Sequence, residues 1–358
     1  MSATPATLLT ADQPQTPAAQ LSFAHLDGDH RQILERAIRR ILATELAEIT
    51  YAQIIDGLPT GQVAYESYIP IYGWHPIDNV HDDLCPGMLE KARQFRADFQ
   101  PDILTFNSKL VHEYRGCAPG SRGFKSRLVE MVAVAVHQIA VILFELDTSL
   151  HKNDGVTEWA PPKSDSFYWS QHPNGPAPTL FHHEWYKDHE QYPRGVADMV
   201  GYWAEARILG GVVLFDRRRP DAVPCADTGT DFKVDPDAIF FHADREGVTY
   251  RIYQLLPEQR NALLNFLIAE PPPPSPLPIL ASADNRIRVD PEEPIAQTGI
   301  YRDIWERKEL PLTWGDSRSR DVMDTLNYPT NEDWIAAGHR SRMLRQRYEE
   351  VHLRDDDE

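Results

Sequence analysis

Cysteine is scarce in this chain. The three that occur in 358 residues, Cys85, Cys117 and Cys225, are odd in number, far apart and without a CxxC pair, which excludes a disulfide framework and a zinc knuckle and fits a reducing compartment. Basic charge is also short. With 36 Lys and Arg against 54 Asp and Glu, the net charge is −18 and the pI near 5.2, so the protein does not coat nucleic acid or anionic membrane by overall charge, although a local basic patch is compatible. The N-terminus lacks a basic region followed by an apolar one and has no arginine before Arg31, which speaks against secretory and mitochondrial targeting and leaves the cytoplasm as the expected location. No serine sits in GxSxG, the loop APGSRG lacks the lysine of a P-loop, and no HExxH or internal repeat occurs. The longest apolar run, LVEMVAVAVHQIAVILFEL from Leu128, has the length of a membrane span. Its polar residues Glu130, His137, Gln138 and Glu145 fall in one stripe about 100° wide at helical periodicity, so it reads as a buried central helix.

Residues 1–22 are rich in Ala, Thr, Pro and Gln and have too little apolar content to offset the entropy of ordering, which predicts a disordered tail. From Asp29, the apolar positions Ile33, Ala37, Ile41, Leu42, Leu46 and Ile49 predict one amphipathic helix to about Ile55, stopped by Asp56-Gly57. A second helix is expected from Pro86 to about Phe99, while Asp102–Tyr114 fits a strand or a helix equally. Ala238–His242 and Val248–Leu255 read as an antiparallel hairpin, and Pro257 opens a further helix. These features divide the chain into a core over 23–270, an extension over 271–354 that begins with the stiff PPPPSP spacer, and an acidic tail at 355–358.

The organising stretch is Pro178–Arg217. Thr179–His183 is short, apolar and β-compatible; Val196, Met199, Val200, Trp203 and Ala204 are spaced for one face of a helix that Gly210-Gly211 stops; Val212–Phe215 is an unbroken apolar run suited to a strand covered on both faces. Two strands joined through a helix are expected to lie parallel by a right-handed crossover. The expected class is therefore α/β, a Rossmann-like parallel core with a βαβ unit, an N-terminal helical segment and an arginine-containing C-terminal helix. The ligand edge of such a unit would gather His182, His183, Glu184, Asp198, Asp216 and Arg217.

Three constellations carry chemistry. On the helix, Asp198, Gly201, Tyr202 and Glu205 share a face, and a Tyr hydroxyl one turn from a carboxylate can hold an ammonium group and relay its proton. The stripe of Glu130, His137, Gln138 and Glu145 either forms a satisfied internal network or lines a polar pocket. His182–Glu190, HHEWYKDHE, is dense in potential metal ligands but lacks the spacing of a known closed site, so it reads as a hydrogen-bonding rim, and the protein is expected to carry no stoichiometric transition metal.

The run HEQYPRGVADMVGYWAEARILGGVVLFDR, followed by FFHADREGVTYRIYQL, PLPIL and NRIRVDP, resembles a large group of fungal proteins that mostly lack assigned functions. Tyr202-x-x-Glu205 before an apolar strand is similar to the Tyr/Glu helix of the cyclodipeptide synthases, Rossmann-like relatives of class I aminoacyl-tRNA synthetases that include a fungal arginine-containing branch. The two residues are three apart here rather than four, the Gly-x-Ser nucleophile strand is missing, and Asp154 and Glu158 are the nearest approach to an Asp-Asp-x-x-Glu motif. The resemblance implies a cyclic dipeptide made from arginyl-tRNA and a second aminoacyl-tRNA, without a cofactor. Tyr202 and Glu205 would be catalytic; Asp198, His183, Glu184, Asp216, Glu130 and Glu145 would form the substrate pocket; Arg340, Arg342, Arg345 and Arg347 would contact tRNA. Two other readings stay open: a small-molecule, metal-assisted enzyme of secondary metabolism using His182, His183, Glu184 and His189, and a non-catalytic interaction protein with an aromatic surface. Stoichiometric metal would favour the former.

Overall fold

The computed structural model describes residues 19–66, 75–146, 150–151, 154–171, 175–224, 230–245, 249–291, 293–307 and 328–333, together with 335, 336, 338, 339, 342, 343 and 346. Its N-terminal half is helical. The amphipathic stretch from Asp29 forms two helices, α1 (Gly28–Leu42) and α2 (Glu45–Asp56). Thr44 divides them: its hydroxyl donates back to the Ile41 carbonyl at 2.7 Å and accepts from the Ala47 amide at 3.2 Å, capping α2. Gly57, at φ 102°, ends α2 in the left-handed conformation that glycine reaches without strain.

Short helices α3 (Gly61–Tyr65) and α4 (Ile77–Val80) lead to α5 (Met88–Asp98), α6 (Ser108–Gly116) and α7 (Arg122–Glu145). Strand β1 (Gln20–Ser22) pairs antiparallel with β2 (Thr105–Asn107), so the last three residues of the expected tail are ordered. The ambiguous Asp102–Tyr114 stretch resolves into β2 running directly into α6. Helix α7 is the one described helix long and apolar enough to cross a membrane, and 72% of its most apolar window is buried inside the protein.

The central unit is not βαβ. After the short α8 (Ser166–Gln171), Thr179–His183 is irregular backbone instead of a strand. Thr179 accepts through its hydroxyl from the Phe181 amide at 3.2 Å, the His182 ring lies 3.1 Å from the Thr179 carbonyl, and the Tyr186 amide donates to the His183 carbonyl at 2.9 Å. These local bonds satisfy groups that a ladder would have used. Phe181 is fully buried and its ring lies 4.7 Å from that of Trp203, so the apolar residues that suggested a strand serve as a core plug.

Helix α9 (Val196–Leu209) and strand β3 (Val212–Asp216) form as expected, but β3 is flanked by β4 (Ile239–His242) and β7 (Ile300–Tyr301), both antiparallel to it. The β4–β5 hairpin is present, with β5 at Ile252–Gln254, and β6 (Arg288–Val289) completes the order β6-β5-β4-β3-β7. The Rossmann-like parallel core is thus replaced by one curled antiparallel sheet. Its central strands are unbroken apolar runs because both faces are covered all the same. Val213, Phe215, Phe241 and Tyr253 join the helical core, while Val212, Leu214, Phe240 and Ile252 pack on Met199, Tyr202 and the aromatic segment around Tyr186. Among the described residues beyond 271, β6, α11 (Ile295–Thr298) and β7 belong to the sheet and its edge; α10 (Pro257–Ile268) packs against α1.

The C-terminal edge of the sheet holds a pH-sensitive group. Burial, ahead of every other cause, holds the Glu306 carboxyl up to about 7 against an ordinary 4.5, even though it accepts from the Arg302 and Asp303 amides at 3.0 Å. The folded state therefore keeps a proton that the unfolded chain releases from pH 4.5 upward. This group's stabilisation is complete below that pH and is lost as pH rises to about 7. Glu306→Gln, which keeps an acceptor for the two amides, is expected to flatten the stability profile across that window in urea titrations. An unchanged slope would show that Glu306 does not titrate there.

Candidate metal centre

Most of the residues singled out in the sequence lie inside the core as partners of one another. Glu205 is fully buried, accepts from the Val213 amide at 2.6 Å, and receives Arg302 Nη1 at 2.7 and 2.8 Å on its two oxygens. Tyr202, 2% exposed, stacks beneath that guanidinium at 5.6 Å and lies edge-on to His137; burial raises its hydroxyl pKa well above the ordinary value. Asp198 lies 3.0 Å from His137 Nε2. Burial opposes the imidazolium, but Asp198 and Glu205 outweigh it and raise the His137 pKa. Gly201 is needed here, because a Cβ at this position would stand 2.4 Å from His137 Nε2.

The remaining members are paired in the same way. Glu130 bonds Arg127 and Arg217, Glu145 bonds Arg194, Asp216 bonds Arg218 at 2.8 Å, and Glu184 bonds Lys187 at 2.6 Å. His183 is fully buried with its Nε2 3.1 Å from the His242 carbonyl, and burial lowers its pKa. The α7 stripe thus runs from an internal network around Glu130 and His137, in which His137 Nδ1 is buried without a hydrogen-bond partner, to the exposed Glu145–Arg194 pair. Of the C-terminal arginines, Arg342 is exposed and donates to the Gly338 carbonyl at 3.1 Å; Arg340, Arg345 and Arg347 lie outside the described residues.

A different cluster has the geometry of a site. Asp56 ends α2, His81 follows α4, Cys85 precedes α5 and His151 lies beyond α7, yet one ligand atom from each lies within 4.8 Å of every other. His81 Nε2 is 3.1 Å from Asp56 Oδ2, while His151 Nε2 is 3.4 Å from Asp56 Oδ1 and 3.3 Å from Cys85 Sγ. Both rings are held from behind. His81 Nδ1 sits 2.9 Å from the Pro59 carbonyl and His151 Nδ1 sits 2.7 Å from Asp154 Oδ2. A carbonyl only accepts, so His81 carries its proton on Nδ1, and the Asp154 carboxylate imposes the same tautomer on His151. Both Nε2 atoms thereby face the thiol and the carboxylate, where each would offer its lone pair to a cation; without one, His81 Nε2 pairs with Asp56, which outweighs burial and raises the His81 pKa.

Comparison with family models, curated proteins and solved structures gave no match. The chemistry of the centre has to be argued from its atoms.

Asp56 is fully buried, and its Oδ1 has no hydrogen-bond partner, an uncommon state for a carboxylate oxygen. Burial works against its charge, but the His81 and Cys85 hydrogen bonds, including the Cys85 amide at 2.8 Å, outweigh it and lower its pKa. Burial, then the facing Asp56, raises the pKa of the Cys85 thiol. That environment opposes a free thiolate, and so opposes reading Cys85–His151–Asp154 as a nucleophile relay. A divalent cation reverses each of these costs. With Zn–S near 2.3 Å and Zn–N or Zn–O near 2.0–2.2 Å, tetrahedral ligands stand about 3.3–3.7 Å apart, so the cluster needs adjustment and no rearrangement. One carboxylate and one thiolate would neutralise the ion, which suits a buried centre.

Sequence reasoning missed this set. In the sequence Asp56 reads as a helix stop, Cys85 as an isolated cysteine and Asp154 as the nearest approach to another motif. The available signal was His81-x-x-x-Cys85, two ligand types four residues apart on a Pro-punctuated stretch; the other two ligands are distant in sequence.

Proposed function

We propose that this chain is a zinc-dependent protein whose ion is held by Asp56, His81, Cys85 and His151. The observation that carries the reading is the convergence of four ligand atoms of different chemistry, with both imidazoles oriented from behind and an orphaned Asp56 oxygen between them. A borderline set of two nitrogens, one sulfur and one oxygen suits zinc better than the oxygen-seeking cations. Four protein ligands close the coordination shell, so the ion's first role is to tie the end of α2, the α4–α5 connection and the segment after α7 into one body.

Among the readings left open by the sequence, this cluster favours the metal-assisted one, with ligands drawn from another part of the chain. The aminoacyl-transfer reading rests on the resemblance. It asks Tyr202 and Glu205 to meet a substrate ammonium, whereas both are at most 2% exposed and a guanidinium of the same chain already occupies Glu205.

Elemental analysis of protein purified from zinc-supplemented cells is expected to give one zinc per chain. His81→Ala and Asp56→Ala should reduce that to a small fraction, and His189→Ala should leave it unchanged. Wild-type protein with only trace transition metal would overturn the proposal.

A further inference from the structure

Away from the metal centre, α7 packs along α9, and one histidine joins them through two carboxylates. His137, within α7, stands with Nε2 3.0 Å from Asp198 Oδ1 in the first turn of α9 and with Nδ1 3.8 Å from Glu205 Oε2 two turns later. Among the described residues it is the one cationic side chain within 4 Å of Asp198, whose other oxygen accepts from the Arg194 amide at 2.8 Å and so fixes the entry to the helix. An ionised carboxylate only accepts, so Nε2 carries a proton. A neutral ring would then leave a bare lone pair on Nδ1, which is buried with no hydrogen-bond partner 3.8 Å from a second carboxylate. A proton on Nδ1 turns that repulsion into attraction. The ring has little freedom to turn away, since a Cβ at Gly201 would stand 2.4 Å from Nε2 and the Tyr202 ring lies edge-on at 4.6 Å.

We propose that His137 is a proton-operated clamp: as an imidazolium it ties α7 to both carboxylates of α9, and its deprotonation releases the start of that helix. The groups around it set the sign. From α9 come Asp198, Tyr202 and Glu205, from beyond β7 Arg302, and from α2 Tyr51, whose hydroxyl donates to the neighbouring Val136 carbonyl at 3.1 Å. Both tyrosines stay neutral, because burial raises their pKa. On α7 itself Glu130 and Glu145 lie about two turns to either side, each paired with arginine. Arg302 is shared between Glu205 and Asp303, and Arg194 is paired with Glu145, so without the imidazolium Asp198 keeps an uncompensated charge at a buried position. Burial works against the charged ring, and the two carboxylates outweigh it. The folded state therefore holds a proton that the unfolded chain releases near pH 6.5. The stabilisation is complete below that pH and is lost as pH rises through the higher folded value. The clamp shares no residue with the zinc ligands.

The test follows the His137 ring nitrogens by NMR from about pH 5 to about pH 9 in metal-replete wild type and Asp198→Asn, and measures urea stability of wild type and His137→Gln over the same range. Both ring nitrogens of the wild type should stay protonated through neutrality, with a midpoint above 6.5, and Asp198→Asn should lower that midpoint by about one unit or more. The stability advantage of wild type over His137→Gln should be largest at low pH and shrink as pH rises above 6.5; the titrations of His81 and Glu306 are common to both proteins and cancel in the difference. Amide protection, corrected for the intrinsic effect of pH, should fall at residues 196–202 once the ring is neutral, while β4 keeps its protection. A midpoint at or below 6.5, or one that Asp198→Asn leaves in place, would overturn the proposal. So would a stability advantage constant across the range, or protection at 196–202 that survives deprotonation, which would make His137 a static structural partner. Ring titration and amide protection are read on the wild type, so they decide the matter even where His137→Gln does not fold.

Discussion

Glu205→Gln is expected to lose about 3–5 kcal/mol of stability, the cost of leaving one partner of a buried ion pair uncompensated. Arg302 is 3% exposed at its side chain and directs Nη1 at both Glu205 oxygens, and the same carboxylate accepts the Val213 amide at the start of β3. A neutral amide keeps one acceptor oxygen but offers N–H groups toward a guanidinium, so the charge of Arg302 is stranded in the core. Losing the carboxylate also leaves the imidazolium of His137 with Asp198 as its remaining close anion. Arg302→Met should be comparably destabilising, and the double variant should cost less than the sum of the two, because it removes both charges together. Urea denaturation of the four proteins measures the coupling. Additive losses, or a Glu205→Gln variant within about 0.5 kcal/mol of wild type, would show that the pair does not hold the sheet edge to α9.

The behaviour of Glu205 shows how far the sequence could be read. The polar face of α9 was legible as polar, and the glycine within it as a position of close approach. What supplied the opposing charge was not legible, because Arg302 comes from 97 residues away in a segment read as an extension. The same limit applies to β3. Its unbroken apolar run correctly indicated two covered faces, but coverage does not specify strand direction. Direction is set by β4 and β7, which pair through hydrogen bonds that leave no trace in the hydrophobic pattern. The Thr179–His183 segment failed for the opposite reason: Thr and His side chains offered local partners to a backbone that the apolar residues alone would have placed in a ladder. Asp56, His81, Cys85 and His151 were individually visible, and only the packing of α2 against α5 together with the path after α7 brings them into one cluster.

Removal of the proposed zinc should then be felt first in the helical half. With free metal at a thousandfold excess over its dissociation constant, binding adds about 4 kcal/mol to the folded state, and chelation should withdraw that amount. The ligands bracket the elements that would loosen. The Leu150 amide donates to the Asp56 carbonyl at 3.1 Å, His81 holds the Pro59 carbonyl through Nδ1, and the Gly61 amide at the start of α3 donates to the His81 carbonyl at 2.8 Å. Without the cation, the Asp56–His81 pair remains, but Asp56 Oδ1 stays buried with no hydrogen-bond partner, a cost that entry of water relieves by loosening the cluster. Amide hydrogen exchange after chelation should therefore rise at residues 56–66 and 81–88, while β3 and β4, which hold none of the four ligands, keep their protection. Restoring zinc should restore the slow exchange, and Cys85→Ser, with a hydroxyl that is a far poorer ligand than a thiolate, should show fast exchange in this region with or without added zinc. Exchange that stays slow at 56–66 after complete removal of metal would mean that protein hydrogen bonds alone hold the cluster together.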